Sequence, residues 1–356
     1  MKILAFETSC DDTSIALFEN EELIVMDTAS QISIHNETWW VVPEVAAREH
    51  ANVIFDVLTN VLSKWKVTLE DIDYIWVTTN PGLLPSLLTG TTVAWTISTI
   101  LNKKIIPINH IEAHIFSNFL ERKEEDVTFP LACLTVSWGH NDIYLMNDMW
   151  NIIKLWSTWD DAWWEAFDKA AKMMWLEYPG WPIISKLASE FEAELPKDTI
   201  LCSHPNWNCN CPDNARTSLF PRVWLVKREF NFSFSGLKSS VKREVDKRIL
   251  KSWKLTLDDQ KELSFEFENA ITEVLAWKLI EAAKQNNLKT VMLAGWVSAN
   301  TKLKKEITKL AKKQWLKFIY PSKNLYCMDN AAMVWINTYY KIKYWKFEDK
   351  VWVVKM

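Results

Sequence analysis

Glycine is nearly missing from this chain: there are six in 356 residues, against 22 tryptophans. A globular chain of this length normally carries about 7% glycine, roughly 25 residues. Turns with positive φ, and loops whose backbone closes on a ligand, depend on glycine, so the shortage limits directly what can fold. The tryptophans stand where such turns are needed. Examples are Thr38-Trp39-Trp40-Val41, Ser137-Trp138-Gly139-His140, Ala162-Trp163-Trp164-Glu165, Pro179-Gly180-Trp181-Pro182 and Ala294-Gly295-Trp296-Val297. Each lies at a strand end or just before a helix. One base separates the codon UGA from the glycine codon GGA. A gene that reads UGA as glycine, rendered with UGA as tryptophan, writes Trp at glycine positions. Most of these tryptophans are read here in that way, with a minority genuine.

Around those turns the chain alternates strands and helices. Residues 2–8 and 14–19 read as a hairpin about the polar turn 9–13, and residues 43–64 as a helix with Pro43 in its first turn. Strand 74–79, helix 86–101, strand 104–108 and a helix from Asn109 follow. A second hairpin, 131–137 with 142–147, precedes a helix over 164–175, where a C-cap glycine is expected at Trp175. Helix 262–286, strand 290–294, helix 298–313, strand 316–319 and helix 329–343 close the chain. The repeated hairpin-then-helix pattern predicts an α/β protein of two similar lobes with a cleft between them. The length suits two domains, and 49% hydrophobic residues suffice for two cores.

Residues 74–102 carry no charge, but Pro81 and Pro85 interrupt them, so a buried strand and helix fit better than a membrane span. An acid at Glu7 comes too early for a signal peptide. Six cysteines without a secretory context predict a reduced, cytoplasmic protein. A net charge of −4 means that any nucleic-acid surface must be a local patch. Two basic stretches qualify: Lys302, Lys304, Lys305, Lys309, Lys312 and Lys313, or Lys242, Arg243, Lys247 and Arg248. Either is equally well a helix's solvated face.

Candidate chemistry begins at His110-Ile111-Glu112-Ala113-His114. Two imidazoles at i and i+4 share a helical face, which suits two ligands of one metal, although such pairs also arise incidentally. The glutamate stands at i+2, on the far side of the helix, so this is not a zinc-protease motif. The turns at Ser137-Trp138-Gly139 and Gly295-Trp296-Val297, taken as Gly-Gly turns, expose backbone N–H groups of the kind that hold phosphates. Asp160, Asp161, Glu165 and Asp168 form an acidic run at a helix start, where acids also simply favour the dipole. Asp11 and Asp12 are candidates for a general base and equally ordinary turn residues, so no catalytic base is assigned. Cys202, His204, Cys209 and Cys211 in an insertion near 202–216 are zinc-type donors, but at a spacing unlike the common zinc modules.

Taken together, several segments resemble the TsaD family of bacterial tRNA N6-adenosine threonylcarbamoyltransferases. They are Glu7-Thr8-Ser9-Cys10-Asp11-Asp12-Thr13, Val41 to His50 (VVPEVAAREH), His110 to His114, Glu165-Ala166-Phe167-Asp168-Lys169, Tyr178-Pro179-Gly180, Phe232 to Lys238 (FSFSGLK) and Asp329-Asn330-Ala331-Ala332-Met333. The resemblance covers roughly two thirds of the chain. It implies a two-lobed, actin-like ATPase (ASKHA) fold with a central cleft. One lobe would be residues 1–109 plus about 320–356, and the other residues 110–319 with the insertion near 202–216. It implies one divalent metal ion per subunit, iron(II) or zinc, on His110, His114 and Asp329. Thr135, Val136, Ser137, Trp138, Gly139, Asp168, Trp181 and Asn300 would bind threonylcarbamoyl-AMP. The threonylcarbamoyl group would pass to N6 of the adenosine 3′ of the anticodon in tRNAs reading codons that begin with A. TsaB-like and TsaE-like proteins would be partners.

The family carries glycine where this chain has Trp39, Trp40, Trp138, Trp164, Trp175, Trp181 and Trp296, and also at Asn80 and Pro85. Other classes compete with this reading. A non-catalytic paralogue scaffold of the same complex would lack the metal triad. A small-molecule kinase of the same superfold would differ in substrate. A metalloprotease is disfavoured by the misplaced glutamate.

Overall fold

The strand β1 (Lys2–Glu7) is a buried apolar run that ends on an acid. It pairs antiparallel with β2 (Asp12–Glu19), Glu7 lying opposite Ser14. Asp12 and Thr13 therefore belong to the strand, and the turn is shorter than the polar run 9–13 suggests. The computed structural model describes residues 1–344 apart from 21, 37, 39, 138, 139, 197, 198, 203–214 and 223–230. The zinc-type donors His204, Cys209 and Cys211 lie outside the described residues.

In chain order there follow β3 (Glu22–Ser30), the short helix α1 (Ile32–His35), α2 (Pro43–Trp65), β4 (Tyr74–Asn80), α3 (Leu84–Ile100), β5 (Lys104–Asn109) and α4 (His110–Phe116). Next come β6 (Leu131–Ser137), β7 (His140–Met146), β8 (Ile152–Trp156), α5 (Trp163–Met173), α6 (Gly180–Glu194), β9 (Ile200–Cys202) and β10 (Ala215–Thr217). The chain continues with α7 (Ser235–Ser252), α8 (Leu257–Gln285), β11 (Thr290–Ala294), α9 (Thr301–Lys313), β12 (Lys317–Ile319) and α10 (Ala331–Tyr344).

Two compact units result. The first takes in Met1–Val127, Ala294–Trp296 and Tyr320–Met356; the second takes in Thr128–Leu293 and Val297–Ile319. In the first unit the sheet order is β3-β2-β1-β4-β5, with β1, β4 and β5 parallel. Alternation along β1 and β2 sends Leu4, Phe6, Ile15 and Leu17 to one face. There they pack with Ile54, Val57 and Val61 of α2 and Ala94 and Ile97 of α3. On the other face Phe18 stacks on Trp335 of α10, ring centroids 4.5 Å apart. Because both faces are covered, the parallel strands read as continuous apolar runs rather than alternating ones.

The second unit has the order β12-β11-β6-β7-β8. Read from the far edge, both sheets place their strands third, second, first, fourth, fifth. The two five-stranded α/β units thus repeat one topology, as the hairpin-then-helix repeat predicts. In the second unit α8 packs against α6 and α9, and α5 against α6 and α7. A capping box, Thr256 with Asp259, starts α8 five residues before the apolar periodicity suggests. No helix among the described residues is long and apolar enough to cross a membrane.

Candidate metal centre

Asn109 decides where α4 begins. Its side-chain carbonyl accepts the N–H groups of Ile111 (2.9 Å) and Glu112 (3.1 Å). This cap makes His110 the first helical residue, so His110 and His114 fall one turn apart on one face. Glu112 points elsewhere and accepts Lys341 Nζ of α10 at 2.8 Å, so no glutamate base accompanies the histidines. Asp329 is placed by a second cap. Asn330 Oδ1 accepts the N–H of Met333 at 3.0 Å, and the Ala331 N–H is held by Ser14 Oγ at 3.1 Å. The carboxylate of Asp329 then sits beside the positive end of α10.

The three side chains meet within the first unit. His114 Nε2 is 2.9 Å and His110 Nε2 3.6 Å from Asp329 Oδ1, and the two imidazoles lie edge to face with centroids 4.5 Å apart. One ligand atom from each of the three residues lies within 4.8 Å of the others, and all three residues are buried. Two imidazoles and a carboxylate form a donor set that fits zinc or iron(II).

The surroundings fit a metal as well. His110 Nδ1 is 3.2 Å from Glu7 Oε2 and 3.1 Å from Ser9 Oγ. A carboxylate behind a histidine fixes its tautomer and frees the other nitrogen for a ligand. Glu7 is itself held: the Ser9 N–H donates to Oε1 at 2.7 Å, and Thr78 Oγ1 of β4 donates to Oε2. His114 Nδ1 is buried without a hydrogen-bond partner among the described residues. Such an orphan is expensive in a closed interior and marks a site whose polar atoms serve something more than the fold. Trp296 Nε1 donates to Asp329 Oδ1 at 3.0 Å.

Charge follows this geometry. Burial works against a cationic His110, but the carboxylates of Glu7 and Asp329 outweigh it and push its pKa up to about 9. His114 is held below its usual value by burial and by the neighbouring His110. Burial works to raise Glu7 and Asp329, yet the charge of His110 keeps both below the ordinary carboxylate range. Asp11 is raised to about 6 by burial and by the negative charge of Asp329. Asp12 is likewise raised, by burial and by the charge of Asp11. Oδ1 of each of these two aspartates is buried without a partner among the described residues. Their loop is anchored by His50 of α2, which bonds Thr13 Oγ1 at 2.7 Å and the Cys10 carbonyl at 2.9 Å.

The residues expected to bind an adenylate lie in the second unit, where a chain of contacts joins them. Thr135, Val136 and Ser137 form the buried end of β6, and Val136 pairs with Asn141 of β7. Asn141 Oδ1 accepts the Trp163 N–H at the start of α5 (3.2 Å). Asp168, one turn further along, accepts the Gly180 N–H at the start of α6 (2.8 Å). A Cβ at Gly180 would lie 2.8 Å from the Phe167 carbonyl, so this approach requires glycine. Trp181 and Ser185 follow at i and i+4 on α6. Ser185 Oγ donates to Glu268, and Asn300 Nδ2 donates to the same Glu268 oxygen at 2.8 Å. Asn300 Oδ1 meanwhile caps α9 through the Leu303 N–H at 2.8 Å. Trp138 and Gly139 lie outside the described residues.

Glu7, Ser185 and Glu268 carry no assignment from sequence, and Trp296, read there as part of a phosphate-holding turn, instead donates to Asp329. The position of Glu7 inside a family segment was the available signal; its partner His110 lies about a hundred residues away and becomes visible only with β1, β4 and β5 side by side.

A family model described as "TsaD: tRNA N6-adenosine threonylcarbamoyltransferase" matches residues 22–335. A tRNA N6-adenosine threonylcarbamoyltransferase from Persephonella marina is 40% identical over 344 residues, 96% of this chain and 91% of that protein. One from Fusobacterium nucleatum is 38% identical over 344 residues, 96% of this chain and 92% of that one. Among solved structures, YeaZ from Pseudomonas aeruginosa aligns over 43% of this chain and 63% of its own, at 14% identity and a TM-score of 0.31.

Proposed function

The chain belongs to the tRNA N6-adenosine threonylcarbamoyltransferase family and has that activity, and from this premise we propose what its residues do in the transfer. The donor is threonylcarbamoyl-AMP and the acceptor is N6 of the adenosine 3′ of the anticodon in tRNAs reading codons that begin with A. The bond between N6 and the carbamoyl carbon forms, the bond from that carbon to the AMP phosphate oxygen breaks, and N6 gives up one proton. No nucleophilic serine or cysteine is needed when the amine attacks directly.

His110, His114 and the Asp329 carboxylate would hold one divalent ion, iron(II) or zinc. When bound, that ion supplies Lewis acidity toward the oxygens of the donor. Glu7 and Ser9 keep the proton of His110 on Nδ1, so that Nε2 stays available as a ligand. Thr135, Val136, Ser137, Trp138 and Gly139, with Asp168, Trp181 and Asn300, would bind the adenylate. TsaB-like and TsaE-like proteins complete the assembly, in the cytoplasm where unmodified tRNA is available.

The convergence of His110, His114 and Asp329 supports this reading most. A scaffold paralogue has no use for such a site, and a kinase would spend ATP on a small acceptor. The test supplies the full chain, together with TsaB-like and TsaE-like proteins, with threonylcarbamoyl-AMP and unmodified tRNA and reads the modified nucleoside by mass spectrometry. Transfer is expected, with His114→Ala losing metal content and transfer together. A His114→Ala chain that transfers at the unsubstituted rate would overturn the site.

A further inference from the structure

Charge is distributed very unevenly over the second unit. The helix α9 (TKLKKEITKLAKK) holds six lysines and a single acid, Glu306, in a chain whose net charge is −4. Its apolar stripe, Leu303, Ile307 and Ala311, is buried. The lysines therefore divide by position. Lys302, only 13% exposed, is tied to Glu192 of α6 at 2.8 Å. Lys305, Lys309, Lys312 and Lys313 face solvent, at i, i+4, i+7 and i+8. Lys309 has Glu306 3.6 Å away, whereas Lys305, Lys312 and Lys313 have no ion-pair partner among the described residues.

The other basic stretch, on α7, is arranged differently. Lys242 pairs with Asp246, Lys247 with Glu244, and Arg248 with Glu244, Asp259 and Glu262. In that stretch Lys242, Lys247 and Arg248 are thus paired, with acids from α7 itself and from α8, and Arg243 donates to Ser240 Oγ. On α9, like charges one turn apart repel each other and weaken the helix. The favourable field at the C-terminal end of a helix accounts for Lys312 and Lys313 but not for Lys305, two turns back. Nothing in the fold accounts for Lys305, whereas a polyanion running along the helix would engage it together with Lys309, Lys312 and Lys313.

We propose that the solvent face of α9, carrying Lys305, Lys309, Lys312 and Lys313, receives the phosphate backbone of the acceptor tRNA. The proposal rests on tRNA being the acceptor. An anionic membrane offers similar charge, but a surface helix binds lipid through its apolar stripe, and here that stripe is already used inside the unit. Ribose-phosphate backbone requires no such stripe. Contacts of this kind position the RNA without reading its sequence.

The experiment compares the full chain with Lys305→Gln/Lys309→Gln/Lys312→Gln and with a control, Lys242→Gln/Lys247→Gln on α7. Binding of unmodified tRNA is measured against salt, beside helical content, thermal midpoint and metal content. Expected for the α9 variant is about tenfold weaker binding near ~0.1 M salt and a log–log salt slope smaller by about 2 to 3. Fold and metal content should be unchanged, and the control should bind as the full chain does. Equal affinity and slope in the α9 variant, while the unsubstituted chain modifies tRNA, overturns the surface and leaves the activity standing. An α9 variant that loses adhesion to phosphatidylglycerol vesicles but keeps its tRNA affinity also overturns it. If the unsubstituted chain, with TsaB-like and TsaE-like proteins present, neither binds nor modifies tRNA, the acceptor itself is wrong and the surface falls with it.

Discussion

At the scale of the residue, His110 is the most loaded side chain in the molecule. It is a prospective ligand on one nitrogen and is tied to a buried carboxylate on the other. Its pKa of about 9 in the metal-free fold lies above the ordinary imidazole value of 6.5. The sign is therefore that of a group that stabilises the fold when protonated. Its contribution is complete below about 6.5 and is lost as the pH rises through about 9. A metal needs the neutral ring, so uptake must displace this proton. Metal affinity is expected to rise with pH up to about 9, with protons released on binding across the same window. Calorimetry in buffers of different ionisation heat measures the release, and uptake without proton release at pH 7 would contradict the pairing of His110 with Glu7. His110 and His114 were legible because helical spacing puts both on one face. Asp329 was legible only through a family resemblance, since no local pattern links it to residues two hundred positions earlier.

At the scale of the element, helix ends expose the tryptophan problem. Trp175, Trp253 and Trp315 follow α5, α7 and α9 with φ of 59°, 62° and 56°. At Trp175 and Trp315 the bonds Leu176 N–H to Ala171 and Leu316 N–H to Ala311 close Schellman motifs, whose left-handed residue is usually glycine. An indole there brings a Cβ penalty of roughly 1–2 kcal/mol and buries little in return, since Trp253 is 90% and Trp315 94% exposed. The indole N–H groups of Trp76, Trp163 and Trp335 are buried without partners among the described residues, a second sign of residues that do not suit their places. Replacing Trp175, Trp253 and Trp315 by glycine is expected to raise stability by roughly 1–2 kcal/mol per site. Urea unfolding checks this, and peptide mass spectrometry of the protein from its native source is expected to read glycine at these positions. Lower stability together with tryptophan masses would refute the recoding. The same helices show where pattern reading stops. Helix α7 buries only Leu237, Ser240, Val241 and Val245, too thin a stripe to announce itself. At the start of α6, Gly180 and Pro182 imitate a turn. The edge strand β3 is half-exposed along its length and lacks the apolar run that marks β1 and β4.

At the scale of the whole molecule, the metal set belongs to one unit and the expected adenylate residues to the other. Metal that binds only the folded first unit stabilises that unit by mass action. Chelation is therefore expected to speed amide exchange in β1, β4, α4 and α10 while leaving α6, α8 and α9 unchanged. Equal acceleration in both units would mean that they unfold as one. The first unit is also assembled from three separate stretches of chain, the last beginning at Tyr320. On the ribosome, His110 and His114 emerge about 200 residues before Asp329, a wait of about ten to forty seconds at ~5–20 residues per second. Through that interval the nascent chain presents two histidines without Asp329, and the helix α10 that covers one face of the sheet has not yet been made. Metal capture at this candidate site would thus be a late event in the life of each molecule, and a chain released before residue 329 would lack one of its three donors.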